Sequence, residues 1–227
     1  MNLVGTLINH RYFVEGPLPG GSFTRDWLAR SVSSNVPLRL KFLAGPDRSL
    51  PPAGLRRFRT SWARLTAIAD PAVERVHEEA GFEGYTFAAC ELIQDPRLED
   101  YARGGAFLPL EEGLRLLLLA AAALESLHPR GLMHLSLSPA SLWVLRRYDR
   151  LQGVKLGDFC AVEHEMLVRG SLERIGRVRS FIAPEVLASP ASARAAADLY
   201  SLGRILRWVL AAAGDPERLP PGRRPAP

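Results

Sequence analysis

The stretch Leu110 to His128 is apolar on every side of the helix it would form, and only a helix enclosed by other structure suits that pattern. It demands a helical body around it. A second apolar helix, Asp198 to Ala213, can supply part of that body. Nothing before Ile93 reads in the same way. From Arg11 to Phe42 short runs with strand character (Tyr12-Phe13-Val14, Phe23, Trp27-Leu28, Leu38 to Leu43) are broken by Gly, Pro, Ser and Asn, the signature of antiparallel strands joined by turns. After Pro51-Pro52, Leu55 to Ala69 sets Leu55, Phe58, Trp62, Leu65 and Ile68 at helical spacing, which predicts one amphipathic helix. Gly81 to Ile93 returns to strand-like sequence around a Gly-containing turn, and Asp95-Pro96 marks a break. Further on, Leu142 to Leu145 and Val154 to Leu156 are short strand candidates flanking a polar turn.

This order predicts an α+β chain with two lobes. Residues 1–93 form a small antiparallel β lobe with one helix, residues 94–213 a mainly helical lobe, and the Pro-rich, aperiodic residues 214–227 a flexible tail. With 227 residues, 47% hydrophobic and 23% charged, the chain can bury a core without covalent staples. Cys90 and Cys160 lack partners at metal-ligand spacing, which points to free thiols in a reducing, cytoplasmic setting. The N-terminal residues do not read as a signal peptide, and no apolar run is long enough for a membrane span. The formal charge of +5 is spread along the chain and carried by arginine, Lys41 and Lys155 being the two lysines, so a nucleic-acid surface is not expected. One cluster stands apart: Arg169, Arg174, Arg177 and Arg179 are candidates to meet an acidic or phosphorylated protein partner.

Six landmarks in this order resemble the bacterial Ser/Thr protein kinases of the eukaryotic-like type. Gly5-Thr6-Leu7 with Arg11-Tyr12 looks like that family's lead-in to its Gly-rich loop, and Leu38-Arg39-Leu40-Lys41 falls where the family has Val-Ala-Ile-Lys. Leu127-His128, Gly131-Leu132-Met133-His134 and Pro139 follow the approach to and passage through the catalytic loop. Lys155-Leu156-Gly157-Asp158-Phe159 resembles the run into Asp-Phe-Gly, Ala183-Pro184-Glu185 equals the Ala-Pro-Glu signature, and Asp198-Leu199-Tyr200-Ser201-Leu202-Gly203 is similar to the start of the following helix. The resemblance implies the two-lobed kinase fold, with a large lobe lacking its last helices.

The same resemblance implies a chemistry that these residues do not supply. Phosphoryl transfer uses a carboxylate to receive the substrate hydroxyl proton, side chains to hold Mg²⁺, and cations along the phosphates. Where the family reads His-Arg-Asp-Leu-Lys-Pro-x-Asn, this chain reads His134-Leu135-Ser136-Leu137-Ser138-Pro139-Ala140-Ser141. Ser136 stands at the base, Ser138 at the phosphate-contacting lysine and Ser141 at the metal-binding asparagine, and a neutral hydroxyl cannot act as base near pH 7. These serines are expected to cap turns. Asp158 matches the Mg²⁺-binding aspartate, but Cys160 replaces the glycine after it, and a lone aspartate is a poor magnesium site. In the glycine loop Pro19-Gly20-Gly21-Ser22-Phe23-Thr24, Gly21 alone matches, so a plain turn is the simpler role.

The positions forming the family's adenine slot hold Asp26, Arg39 and Trp143. We expect Asp26 and Arg39 to pair and Arg39 to stack toward Trp143, filling the slot, unless a residue of register turns Arg39 outward. Lys41 would look for a glutamate on the small-lobe helix, but the aligned residue is Ser61; Asp158 is the alternative partner. His134 reads as a packing residue, Cys90 as a small buried group, and Glu91 as the start of the lobe connector. No cofactor is expected; if ATP and Mg²⁺ did bind, Gly21, Lys41, Glu91 and Asp158 would be the contacts. The expected function is a catalytically inactive pseudokinase, a protein-interaction or regulatory module whose partner is an active kinase or a phosphoprotein. The alternatives are a weak or atypical ATP-dependent Ser/Thr kinase and an ATP-binding switch. Glu185 has lost the distant arginine it would pair with in the family, so either Arg194 substitutes or a partner, which includes a second copy, covers the lobe.

Overall fold

A computed structural model describes residues 2–18, 24–43, 45–103, 108–159, 173–189 and 194–214. Contacts divide them into two compact units, the first holding the described residues among 2–69, 74–93 and 173–174, the second those among 70–73, 94–159 and 175–214. The architecture is α+β: a small antiparallel sheet with one long helix, and a larger, mainly helical unit whose described residues end without the kinase family's terminal helices.

The first unit is a six-stranded antiparallel sheet. Its strands are β1 (Leu7–Ile8), β2 (Tyr12–Pro17), β3 (Thr24–Ser31), β4 (Pro37–Leu43), β5 (Val76–Phe82) and β6 (Tyr85–Glu91), in the order β1-β2-β3-β4-β6-β5. Alternation assigns the two faces. Leu38, Leu40 and Phe42 of β4 join Val14, Trp27, Phe87 and Ala89 in the core, while Arg39 and Lys41 fall on the opposite face. Phe42 and Phe87 stack at 4.9 Å. The sheet curls on itself, since Asn9 Nδ2 donates to the Gly81 carbonyl at 3.1 Å and Arg11 pairs with Glu78. Glu83 and Gly84, both at positive φ, make the two-residue turn of the β5–β6 hairpin.

Helix α1 spans Pro52–Thr66, three residues earlier at each end than its apolar spacing predicts. Pro52, with φ preset, occupies the first turn where no amide donor is needed. At the other end the Ala67 and Ile68 amides close on Arg64 and Leu65, so Ile68 is buried just beyond the helix. Phe58, Trp62 and Leu65 form its buried face, and the helix packs against β5.

In the second unit, α2 (Leu98–Arg103) precedes α3 (Leu110–Leu127), the hairpin β7 (Leu142–Arg147)–β8 (Arg150–Leu156), α4 (Pro184–Ala188) and α5 (Ala196–Gly214). The all-round burial expected of α3 is corrected: Leu116, Leu117, Ala120, Leu124 and Leu127 are buried, but Leu118 is 72% exposed. Contact with α5 and β8 needs only one broad stripe of the helix. Gly113 marks the closest approach, where a Cβ would lie 2.6 Å from Val209 Cγ1. Helix α5 includes Gly214, the first residue of the expected tail; residues 215–227 lie outside those described. Residues 70–73 join this unit because the Leu156 amide donates to Ala72 O at 2.8 Å and Ser126 Oγ to Asp70 Oδ2 at 2.7 Å. No helix among the described residues is long and apolar enough to cross a membrane.

Candidate functional site

In the first unit the antiparallel pairing of β3 with β4 sets Asp26 opposite Lys41 and Leu28 opposite Arg39. Asp26 therefore meets Arg39 diagonally, with Arg39 Nε 3.6 Å from Asp26 Oδ2 and the Asp26 side chain fully buried. That separation is a charge contact rather than a hydrogen bond. The other Asp26 oxygen accepts from Thr24 Oγ1.

Lys41 has a partner that the sequence reading did not name: Nζ donates to Glu74 Oε2 at 2.6 Å, with the two side chains 6% and 4% exposed. The signal was present in the sequence. Val73-Glu74-Arg75-Val76 leads into β5, and a period of two puts Glu74 on the same side as buried Val76. A glutamate held there needs a cation. Cys90, opposite both Arg39 and Val76, is buried, and its thiol is held well above its ordinary pKa, first by burial and then by Glu74. Glu91 closes the end of β6, accepting the Arg75 amide on Oε1 at 2.7 Å while its own amide donates to Arg75 O.

In the second unit the loop before β7 is organised by Asp198 at the start of α5. Its Oδ1 accepts the Leu135 amide at 2.8 Å, and its Oδ2 accepts the His134 amide at 2.8 Å and faces His128 Nε2 at 2.9 Å. This carboxylate offsets the left-handed backbone of Leu135, φ 62°, which a leucine rarely adopts. His134 donates from Nε2 to Gly157 O at 2.8 Å and packs its ring 4.3 Å from that of Phe159. Burial lowers the imidazole pKa against the raising influence of Asp198, consistent with a neutral ring.

Ser136 Oγ donates to Asp158 O at 3.0 Å and stands 3.3 Å from His134 Nδ1. With the imidazole proton directed at Gly157 and the hydroxyl at Asp158, the two do not make a base and nucleophile. Ser141 Oγ accepts the Ser138 amide at 2.9 Å and donates to Ser138 O at 3.0 Å, closing the short turn Pro139–Ser141. All three serines are buried and hydrogen-bonded to backbone.

Asp158, with φ 56°, is held from its other end by Arg97, whose Nη2 lies 3.3 Å from Asp158 Oδ2. The same guanidinium lies over the Trp143 ring, its carbon 4.6 Å from the centroid. Arg97 is the residue that sequence reasoning missed, because Asp95-Pro96-Arg97 reads only as a turn. Gly21 and Arg169 lie outside the described residues, as do the side chains of Arg174 and Arg177; Arg179 is exposed.

No protein-family profile matches the chain. Among curated proteins it is 27% identical over 209 residues to CBL-interacting protein kinase 19 of Oryza sativa subsp. japonica, covering 91% of this chain and 40% of that protein. It is 25% identical over 184 residues to the probable serine/threonine-protein kinase pknA2 of Bifidobacterium longum, covering 81% of this chain and 23% of that one. The chain thus spans less than half the length of these relatives. Among solved structures, the kinase domain of Mycobacterium tuberculosis PknI superposes with a TM-score of 0.72 at 23% identity, over 97% of this chain and 82% of that domain. The fold is that of the bacterial eukaryotic-like protein kinases, in a chain related to bacterial and plant Ser/Thr kinases.

Proposed function

We propose that this chain is a catalytically silent pseudokinase that works as a protein-interaction or regulatory module. The observation that carries this reading is the internal pairing of the ionisable groups at the positions where the kinase resemblance would use charge. Lys41 pairs with Glu74, Arg39 with Asp26 and Asp158 with Arg97, each inside its own unit. The Asp26–Arg39 pair puts charge at positions of the adenine slot, and a magnesium ion at Asp158 would compete with a resident guanidinium; the Lys41–Glu74 pair is of the kind a phosphoryl-transferring kinase keeps and does not by itself oppose a triphosphate. At the position of the proton acceptor stands Ser136, whose hydroxyl is directed at Asp158 O. On this reading the residues present do not suit Mg²⁺-ATP.

Protein contact is the activity a kinase fold keeps without phosphoryl transfer. The plant relatives are named for interaction with CBL, and from that name we carry over only that such a chain works through protein contacts. The arginines at 169, 174, 177 and 179 remain the candidate surface for an acidic or phosphorylated partner. Incubation of the full chain with γ-labelled ATP, Mg²⁺ or Mn²⁺ and a generic basic-protein substrate tests the reading. We expect no label on substrate or on the chain itself. Incorporation that rises with enzyme and disappears in Asp158→Asn would favour the atypical-kinase alternative instead.

A further inference from the structure

We propose that Arg97 is a built-in replacement for a metal ion at the Asp158 turn, a resident cation that keeps residues 157–159 in place without any ligand. The inference rests on the pseudokinase reading and adds to it the residue that holds the Asp158 turn.

The geometry of Arg97 is prepared from the backbone outward. Its amide donates to Asp100 Oδ2 at 2.9 Å, its carbonyl accepts the Asp100 amide at 3.0 Å, and its backbone bridges to Trp143. With the backbone fixed on two sides, the side chain loses less freedom on meeting its targets. The planar guanidinium lies 4.6 Å from the centre of the Trp143 ring and directs Nη2 to Asp158 Oδ2 at 3.3 Å. The two charged side chains are 16% and 15% exposed, so solvent screens them less than a surface pair, and Trp143 itself is 2% exposed.

The turn needs such support. Asp158 takes the left-handed conformation at φ 56°, unfavourable for a residue with a side chain. Its carbonyl accepts from Ser136 Oγ and that of Gly157 from His134 Nε2, and Arg97 answers the carboxylate from within the same unit. A divalent cation would demand several oxygen ligands in near-octahedral array. A guanidinium asks for one carboxylate and an aromatic face, both supplied here. Once paired, Asp158 offers an incoming metal little net charge, so the arrangement maintains itself.

The test compares the full chain with Arg97→Ala, Arg97→Lys, Asp158→Asn and the Arg97→Ala/Asp158→Asn double variant, reading thermal midpoints and amide hydrogen exchange at residues 157–159. Each single substitution should lower the midpoint, and the double should fall short of their sum. Exchange at 157–159 should quicken about tenfold or more in Arg97→Ala, and in Arg97→Lys as well, because an ammonium does not reproduce the planar fork. Should Arg97→Ala fail to fold, Arg97→Lys and Asp158→Asn carry the same exchange comparison. Additive midpoints together with unchanged exchange would overturn the inference. A midpoint of the unsubstituted chain that rises with Mg²⁺-ATP would instead overturn the pseudokinase reading, and it is measured separately from the Arg97–Asp158 coupling.

Discussion

Lys41 Nζ donates to Glu74 Oε2 at 2.6 Å, with both side chains almost wholly withdrawn from water. The sequence equivalent of the kinase lysine is therefore met by a glutamate that precedes β5. Glu74 Oε1 is itself buried with no hydrogen-bond partner among the described residues, so the pair is held by a single strong contact.

Removing Glu74 takes from Lys41 a buried, charge-assisted hydrogen bond. Glu74→Ala is expected to lower stability by about 3–5 kcal/mol, whereas Lys41→Met with Glu74→Leu should recover most of that loss. Urea denaturation of the three proteins checks both figures; equal stability of Glu74→Ala and the unsubstituted chain would remove the pair from the account.

Restoring the catalytic-loop residues should not restore chemistry. Ser136→Asp, Ser138→Lys and Ser141→Asn together are expected to give no phosphotransfer above background, because Arg97 still faces Asp158 and the Asp26–Arg39 pair still holds the adenine-slot positions. The triple variant should also be less stable by at least about 1–3 kcal/mol, since buried donors to backbone carbonyls are replaced. Label-transfer assays and denaturant midpoints measure the two effects.

His134 gives a pH signature with a definite sign. Burial lowers the imidazole pKa in the folded chain, while the unfolded chain titrates near its ordinary value of about 6.5. Unfolding therefore takes up a proton in mildly acidic solution. The His134 contribution should be fully present above about pH 6.5 and be lost as pH falls, with a slope of at most about 1.4 kcal/mol per pH unit. His134→Gln should flatten that part of the stability–pH curve, although Asp198, Asp158 and His128 still face the loop. An unchanged slope would mean that His134 is not the group responsible.

The approach of α3 to α5 is tight enough to test with one methyl group. Gly113→Ala places a Cβ against Val209 Cγ1, and overpacking of about 1–3 kcal/mol should outweigh the roughly 1 kcal/mol that alanine contributes to a helix. Adding Val209→Ala relieves the clash, so the Gly113→Ala substitution should then cost less in that background. Thermal melts of the four-member cycle measure the coupling.

Much of the fold was legible because it rests on periodicity. The alternation in Leu38-Arg39-Leu40-Lys41 separated the core face from the charged face, and the long apolar helices declared themselves by spacing. Boundaries were less legible: the turn at Ala67-Ile68 keeps Ile68 buried after α1 has ended, so burial outruns the helix. The site divides in the same way. Positions identifiable by local motif, such as Ser136, Asp158 and Asp26, could be named, and so could the Asp26–Arg39 pair on adjacent strands, while Glu74 and Arg97 could not. Glu74 and Arg97 lie 33 and 61 residues from the groups they meet, and no local spacing links residues joined only by the tertiary fold.

The central claim is most directly tested by thermal melting of the full chain during titration with Mg²⁺-ATP into the millimolar range. The midpoint is expected not to move. A midpoint climbing with the logarithm of ligand concentration, by roughly 5–10 °C once ligand exceeds its dissociation constant about a hundredfold, would contradict it.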